Sequence, residues 1–95
     1  MQWVIGLLVL DLYLPGAGSL KEKRMVLKSL KDKIRQKYNV SIAEVGFQEK
    51  WQRAQLGIVQ VGSDYGYVEQ NIDKIFRFIE SNMFVEVLNH QFDFI

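Results

Sequence analysis

Residues 2–14 read Gln-Trp-Val-Ile-Gly-Leu-Leu-Val-Leu-Asp-Leu-Tyr-Leu, a run that is apolar on both of its alternating faces. Val4, Leu8, Leu10 and Leu12 point one way, and Trp3, Ile5, Leu7 and Val9 the other. A strand of that kind belongs at the centre of a sheet, with both faces in want of cover. Asp11 interrupts the run well short of membrane-spanning length, and no basic segment precedes it. It therefore reads as a buried strand, not as a signal sequence or membrane anchor. Pro15-Gly16 ends it with turn chemistry.

The turn Gly16-Ala17-Gly18 runs into a predicted helix from Ser19 to Tyr38. Ser19 suits the N-cap, and Glu22 can reach back to the Ser19 N–H and close a capping box. Asn39 is expected to end the helix in the left-handed region. Leu20, Val26, Leu27, Leu30, Ile34 and Tyr38 collect on one arc, wide enough to lie on a sheet. Lys21, Lys23, Arg24, Lys28, Lys31, Lys33, Arg35 and Lys37 against Glu22 and Asp32 give this segment a charge of +6 in a chain whose net charge is +1. Arg24, Lys28, Lys31 and Arg35 recur at spacings of four, three and four. They make a cationic stripe about 16 Å long. Glu22 and Asp32 fall elsewhere on the helical wheel, so the stripe is expected to stay unneutralised. Lys23 falls inside the apolar arc. Its stem should pack while its ammonium reaches solvent or a sheet carboxylate.

Val40–Phe47 reads as a second strand, Gln48–Gln52 as a polar turn carrying Trp51, and Arg53–Gly62 as a third strand paired with the second in a hairpin. Ser63 or Asp64 caps a second helix running to about Asn82, with Val68, Ile72, Ile75, Phe76 and Ile79 at helical spacing. Phe84–Phe94 is a fourth strand, with Phe84, Leu88, Phe92, Phe94, Glu86 and His90 expected on one face. The order β-α-β-β-α-β predicts an α+β, ferredoxin-like split βαβ fold. It places a four-stranded antiparallel sheet under two helices on one face, with the first and third strands central. The 95 residues make a single domain, 1–95.

There is no cysteine and only one histidine, His90. Thiolate chemistry, disulfides and a multi-histidine metal site within one chain are thereby excluded. Asp11 and Glu44 could form a carboxylate pair, or pair with Lys23 or Arg53. No nucleophile or second base accompanies them, so neither an enzyme nor a cofactor is expected. The glycine turn before Ser19 lacks the phosphate-loop and dinucleotide patterns and reads as a structural turn, although a helix N-terminus favours anions. With no export signal, the expected location is the cytoplasm.

Leu14-Pro15-Gly16, Ser19-Leu20-Lys21-Glu22-Lys23-Arg24, Asn39-Val40-Ser41, Ala43-Glu44-Val45, Trp51-Gln52-Arg53 and Leu56-Gly57 together resemble the YlxP-like bacterial family over nearly the whole chain. The resemblance implies a ferredoxin-like fold and a cytoplasmic bacterial protein. Genes of that family commonly lie between those for translation initiation factor two and ribosome-binding factor A, which implies a link to ribosomes or RNA. It implies no reaction and no catalytic residue.

The expected function is thus a non-catalytic RNA- or ribosome-associated binding protein. Lys21, Arg24, Lys28, Lys31 and Arg35 would meet phosphates, and Trp51 with Arg53 would stack on a base and reach a phosphate. Trp51 can equally cap the core, with Arg53 paired to Glu44. The third strand has no counterpart of the RNA-recognition-motif signature, so readout by the sheet face is not expected. The alternative is a homo-oligomeric interaction or small-ligand-sensing domain without nucleic-acid binding. A homodimer is expected in either case. The sheet face left open by the helices should be apolar, with pairing of strands at the sheet edge as the competing geometry.

Overall fold

The computed structural model describes residues 2–95, so only Met1 of the expected domain lies outside the described residues. The elements are β1 (Val4–Tyr13), α1 (Leu20–Lys37), β2 (Ser41–Gly46), β3 (Arg53–Gly62), α2 (Tyr65–Glu80) and β4 (Glu86–Phe94). The four strands form one antiparallel sheet in the order β2-β3-β1-β4, the ferredoxin-like arrangement, with β1 and β3 central.

The alternation read from β1 is kept. Leu8, Leu10 and Leu12 are fully buried beneath the helices, packed with Leu27, Leu30 and Ile34 of α1 and Val68, Ile72, Ile75 and Ile79 of α2. Ile5, Leu7 and Val9 emerge on the opposite, open face. Two glycines on the helix face set the seat of α2. A Cβ at Gly6 would stand 2.7 Å from a methyl of Val68 and 2.9 Å from Ile72, and one at Gly62 would stand 2.7 Å from Val68. Only bare backbone admits that approach.

Several local expectations are corrected. Ser19 does cap α1, its hydroxyl accepting from Glu22 N–H at 3.1 Å, but the Glu22 carboxylate accepts from Gly18 N–H and not from Ser19. The helix ends at Lys37, one residue before the predicted end. Tyr38 is extended (φ −132°) while its N–H still bonds Ile34 O, so Asn39 takes no left-handed turn. Asp64 is the cap of α2, accepting from Tyr67 N–H, and α2 closes at Glu80. The second strand is shorter than predicted at both ends, and Phe47 leaves it with φ 58°.

The fourth strand begins at Glu86, and a bulge shifts its register beside Asp11 and Leu12. Val87 pairs with Leu12, whereas His90 and Phe92 pair with Leu10 and Leu8. Val85 and Val87 therefore turn to the core, and Leu88 is exposed. Sequence alternation without the extra residue assigns Glu86, which pairs with Tyr13 of the open face, and Leu88 to the wrong side.

The seat of α2 yields a prediction. Gly6→Ala should destabilise by about 1–3 kcal/mol through overpacking against Val68 and Ile72. Gly16→Ala, where an added Cβ meets nothing within 4 Å, should be neutral or stabilising. Urea unfolding of the two variants checks this, and equal midpoints would contradict it.

Candidate nucleic-acid interface

The +6 segment folds as α1, and the side chain at its structural centre is Lys23. This lysine is fully buried. Its Nζ donates to Glu44 Oε2 at 2.8 Å, Phe47 O at 3.0 Å, and Gln48 O and Arg53 O at 3.2 Å. Three N–H donors thus serve four oxygens, one of them charged. The carboxylate alternative read from the sequence is the one realised, and the ammonium also grips both arms of the β2–β3 connection. Phe47, in the left-handed region, turns its carbonyl to the ammonium and to Lys50 N–H at 2.9 Å. Leu14 N–H bonds Gln52 O, and the Gln52 amide bonds Pro15 O, so the turn is also sewn to the β1–α1 loop.

Trp51 stands on this fixed turn with 56% of its surface exposed. It does not cap the core. Because Lys23 ties the turn to the start of α1, Trp51 and Arg24 belong to one end of the molecule. Arg53 does not pair with Glu44, which Lys23 holds. Its guanidinium lies 4.5 Å from the Phe47 ring centroid, and its Nε is buried with no hydrogen-bond partner. Register opposite Tyr13 puts Arg53 on the open side of the sheet, away from the stripe.

The stripe occupies the flank of α1 that faces β2. Lys21, Arg24 and Lys28 are exposed and Lys31 is half-buried. Arg35 donates to Ile42 O at 2.9 Å. One expectation fails here: Lys28 is not unpaired, since its ammonium meets Asp32 at 2.7 Å. Spacing i,i+4 brings together residues that the helical wheel places on adjoining lines. The hydrogen bond from Lys28, with Arg35 and Lys31 further off, holds the Asp32 carboxyl below the usual carboxylate range. The stripe is thus weaker by one charge at neutral pH.

Other candidates separate. Asp11 lies on the open face and accepts from the Gln55 amide at 2.9 Å, while Glu44 lies on the helix face. They form no carboxylate pair. The N–H of Gly18 is met by Glu22, so the protein's own carboxylate serves the donor that an anion would need. His90 packs its ring against Phe76 (4.5 Å) and Phe92 (5.5 Å), and Tyr65 packs on Phe94. Among the described residues no group of three or more His, Cys, Asp or Glu side chains could hold a metal ion, and no helix is long and apolar enough to cross a membrane. Lys33 and Lys37, given no role from sequence, lie on the opposite flank of α1, where they face α2. Only the packing of the two helices distinguishes them from solvated lysines.

Residues 5–92 match the family model described as "Protein of unknown function (DUF503)". The chain is similar to "Uncharacterized protein YlxP" of Bacillus subtilis (strain 168), with 41% identity over 78 residues, 82% of this chain and 85% of that protein. Among solved structures it is similar to a C-terminal segment of the alpha subunit of aIF2 from Pyrococcus abyssi, at 13% identity and a TM-score of 0.46. That match covers all of this chain and 51% of the other.

The buried ammonium yields a prediction. Lys23→Met should cost about 2–4 kcal/mol, because it strands Glu44 and three carbonyls; the figure is reduced from that of a fully buried pair because Glu44 keeps 18% exposure. Chemical denaturation measures it, and a loss below 1 kcal/mol, about the worth of an exposed pair, would contradict the assigned role.

Proposed function

The chain belongs to the DUF503 family, and we propose that it is a non-catalytic binding protein for RNA or the ribosome, using one flank of α1. The observation that carries this reading is the stripe Arg24, Lys28, Lys31 and Arg35, with Lys21 at its head and an exposed tryptophan on a rigid turn at the same end. Cations about 5–6 Å apart along a helix present a phosphate backbone with a line of contacts that no single acid can satisfy. Trp51 offers a flat surface to a base without needing sequence readout. Arg53 is engaged with Phe47 and serves to hold the turn. Sheet-face readout gains no support, because the middle of the central strands carries Ile5, Leu7, Val9, Val59 and Val61 on the open face, with the aromatic Tyr13 only at the end of β1.

Replacing Arg24, Lys28, Lys31 and Arg35 by glutamine should keep the fold and weaken RNA or ribosome binding. The plot of log affinity against log salt should flatten by about 2–3, from about 0.7 per phosphate on a single strand with Lys28 partly neutralised by Asp32. Trp51→Ala should cost about 1–3 kcal/mol in binding with little change in that slope. Unchanged RNA affinity in the quadruple variant would refute the proposal.

The open sheet face favours a second reading, self-association. Val45 is 53% exposed, Val61 and Ile95 67%, and they adjoin Ile5, Leu7, Val9 and Val59 in one apolar field. Such a field is self-complementary and needs no opposite charge, which suits a two-fold dimer with a second copy. Sedimentation at micromolar concentration should give a dimer for the native chain and a folded monomer for Leu7→Lys, while Leu8→Lys should not fold. A native monomer would remove this reading.

A further inference from the structure

A second cationic surface lies on the other flank of α1. There the C-terminal half of α1 and the C-terminal half of α2 enclose a cleft of about 340 Å³, lined by Lys33 and Lys37 on one wall and Lys74 and Arg77 on the other. Tyr38 and Phe78 line it beside Ile34 and Ser81, Phe78 with 39% of its surface exposed. The charge on α2 is sorted by face. Glu69 and Asp73 line a separate hollow with Phe92 and Phe94 over β4, whereas Lys74 and Phe78 line the cleft with α1. Arg77 is held by Asp73 at 2.9 Å. Lys33, Lys37 and Lys74 have no ion-pair partner among the described residues.

We propose that this cleft binds a nucleotide, with phosphates on Lys33, Lys37 and Lys74 and the base against Phe78 and Tyr38. Three lysines without ion-pair partners, from two helices, line one small cleft, and their like charges repel one another. A polyanion relieves that repulsion, and a single carboxylate would not suffice. The aromatic side chains supply a stacking surface beside the charges, which a bare inorganic anion would leave unused. The volume is within the range of small-ligand sites. The same chemistry is offered by a free nucleoside triphosphate and by a phosphate-and-base unit of a single RNA strand. The cleft and the stripe sit on opposite flanks of α1 and share no residue, so this proposal stands or falls apart from the RNA-facing stripe.

The test is calorimetric titration of the native chain, in buffer with chelator, with ATP, adenosine, inorganic triphosphate and a short single-stranded oligouridylate. ATP is expected to bind at least tenfold more tightly than adenosine or inorganic triphosphate. Lys33→Gln, Lys37→Gln and Lys74→Gln combined should lower ATP affinity at least tenfold, without shifting the ligand-free melting temperature, since all three are exposed. The quadruple stripe variant should bind ATP as the native chain does. If ATP fails to bind and the triple variant loses oligouridylate, the occupant is the RNA strand, and the cleft is still its site. Inorganic triphosphate binding as tightly as ATP would overturn the base-stacking half of the assignment. A triple variant that binds both ATP and oligouridylate like the native chain would overturn it all.

Discussion

The buried Lys23 ammonium fixes the relation between α1 and the sheet. Removing an ammonium from water costs several kcal/mol even after relaxation, and attraction to one carboxylate does not offset that unless the remaining donors are also met. Here they are met by Phe47, Gln48 and Arg53 carbonyls, all from the two ends of one turn. The interaction therefore forms only when α1, β2 and the start of β3 are all in place. It also explains a backbone oddity: Phe47 takes φ 58°, costly for a residue with a Cβ, because that geometry turns its carbonyl toward the ammonium. The Phe47 ring then lies under the Arg53 guanidinium.

With Lys23 fixed inward, the rotation of α1 about its axis is fixed too, and that decides which cations go where. Arg24, Lys28, Lys31 and Arg35 fall toward β2, as the bond from Arg35 to Ile42 O records. Lys33 and Lys37 fall toward α2. A +6 segment that reads as one basic helix in sequence is thus two surfaces separated by a buried arc. Asp32 moderates the first by holding Lys28. On α2, Asp73 holds Arg77 beside the second, leaving its three lysines unpaired.

Legibility in the sequence followed the range of the interactions. Faces of β1, the Ser19 cap and the element order depend on alternation, helical period and local capping, and all could be read directly. The faces of β4 could not, because one extra residue beside Asp11 reverses the alternation and nothing in Phe84–Phe94 announces it. Lys23 was legible as a buried stem but not as a clasp, since three of its four acceptors are backbone carbonyls with no side-chain signature. Trp51 reads from sequence as equally suited to the core. Its position on a turn held by backbone bonds leaves it outside. The cleft lysines were invisible for a different reason: Lys74 lies about forty residues from Lys33 and Lys37, and only helix packing brings them together.

That packing has an asymmetric origin. α2 sits directly on Gly6 and Gly62, where the absence of a Cβ lets Val68 reach the sheet, and its backbone runs close to β1 and β3. α1 meets no such glycine. It rests on long side chains, Leu27, Leu30 and Ile34 over the core and Lys23 over the hairpin, and its backbone makes no comparably close approach. Two helices seated at different depths on one sheet leave hollows beside α1 along its length, one of them at its end. The gap would be filled by apolar side chains if burial alone governed it. Instead the hollow at the end of α1 carries Lys33, Lys37, Lys74 and Arg77 on its walls. The two glycines that admit α2 and the lysine that holds α1 thus seat the two helices whose facing sides line the cleft.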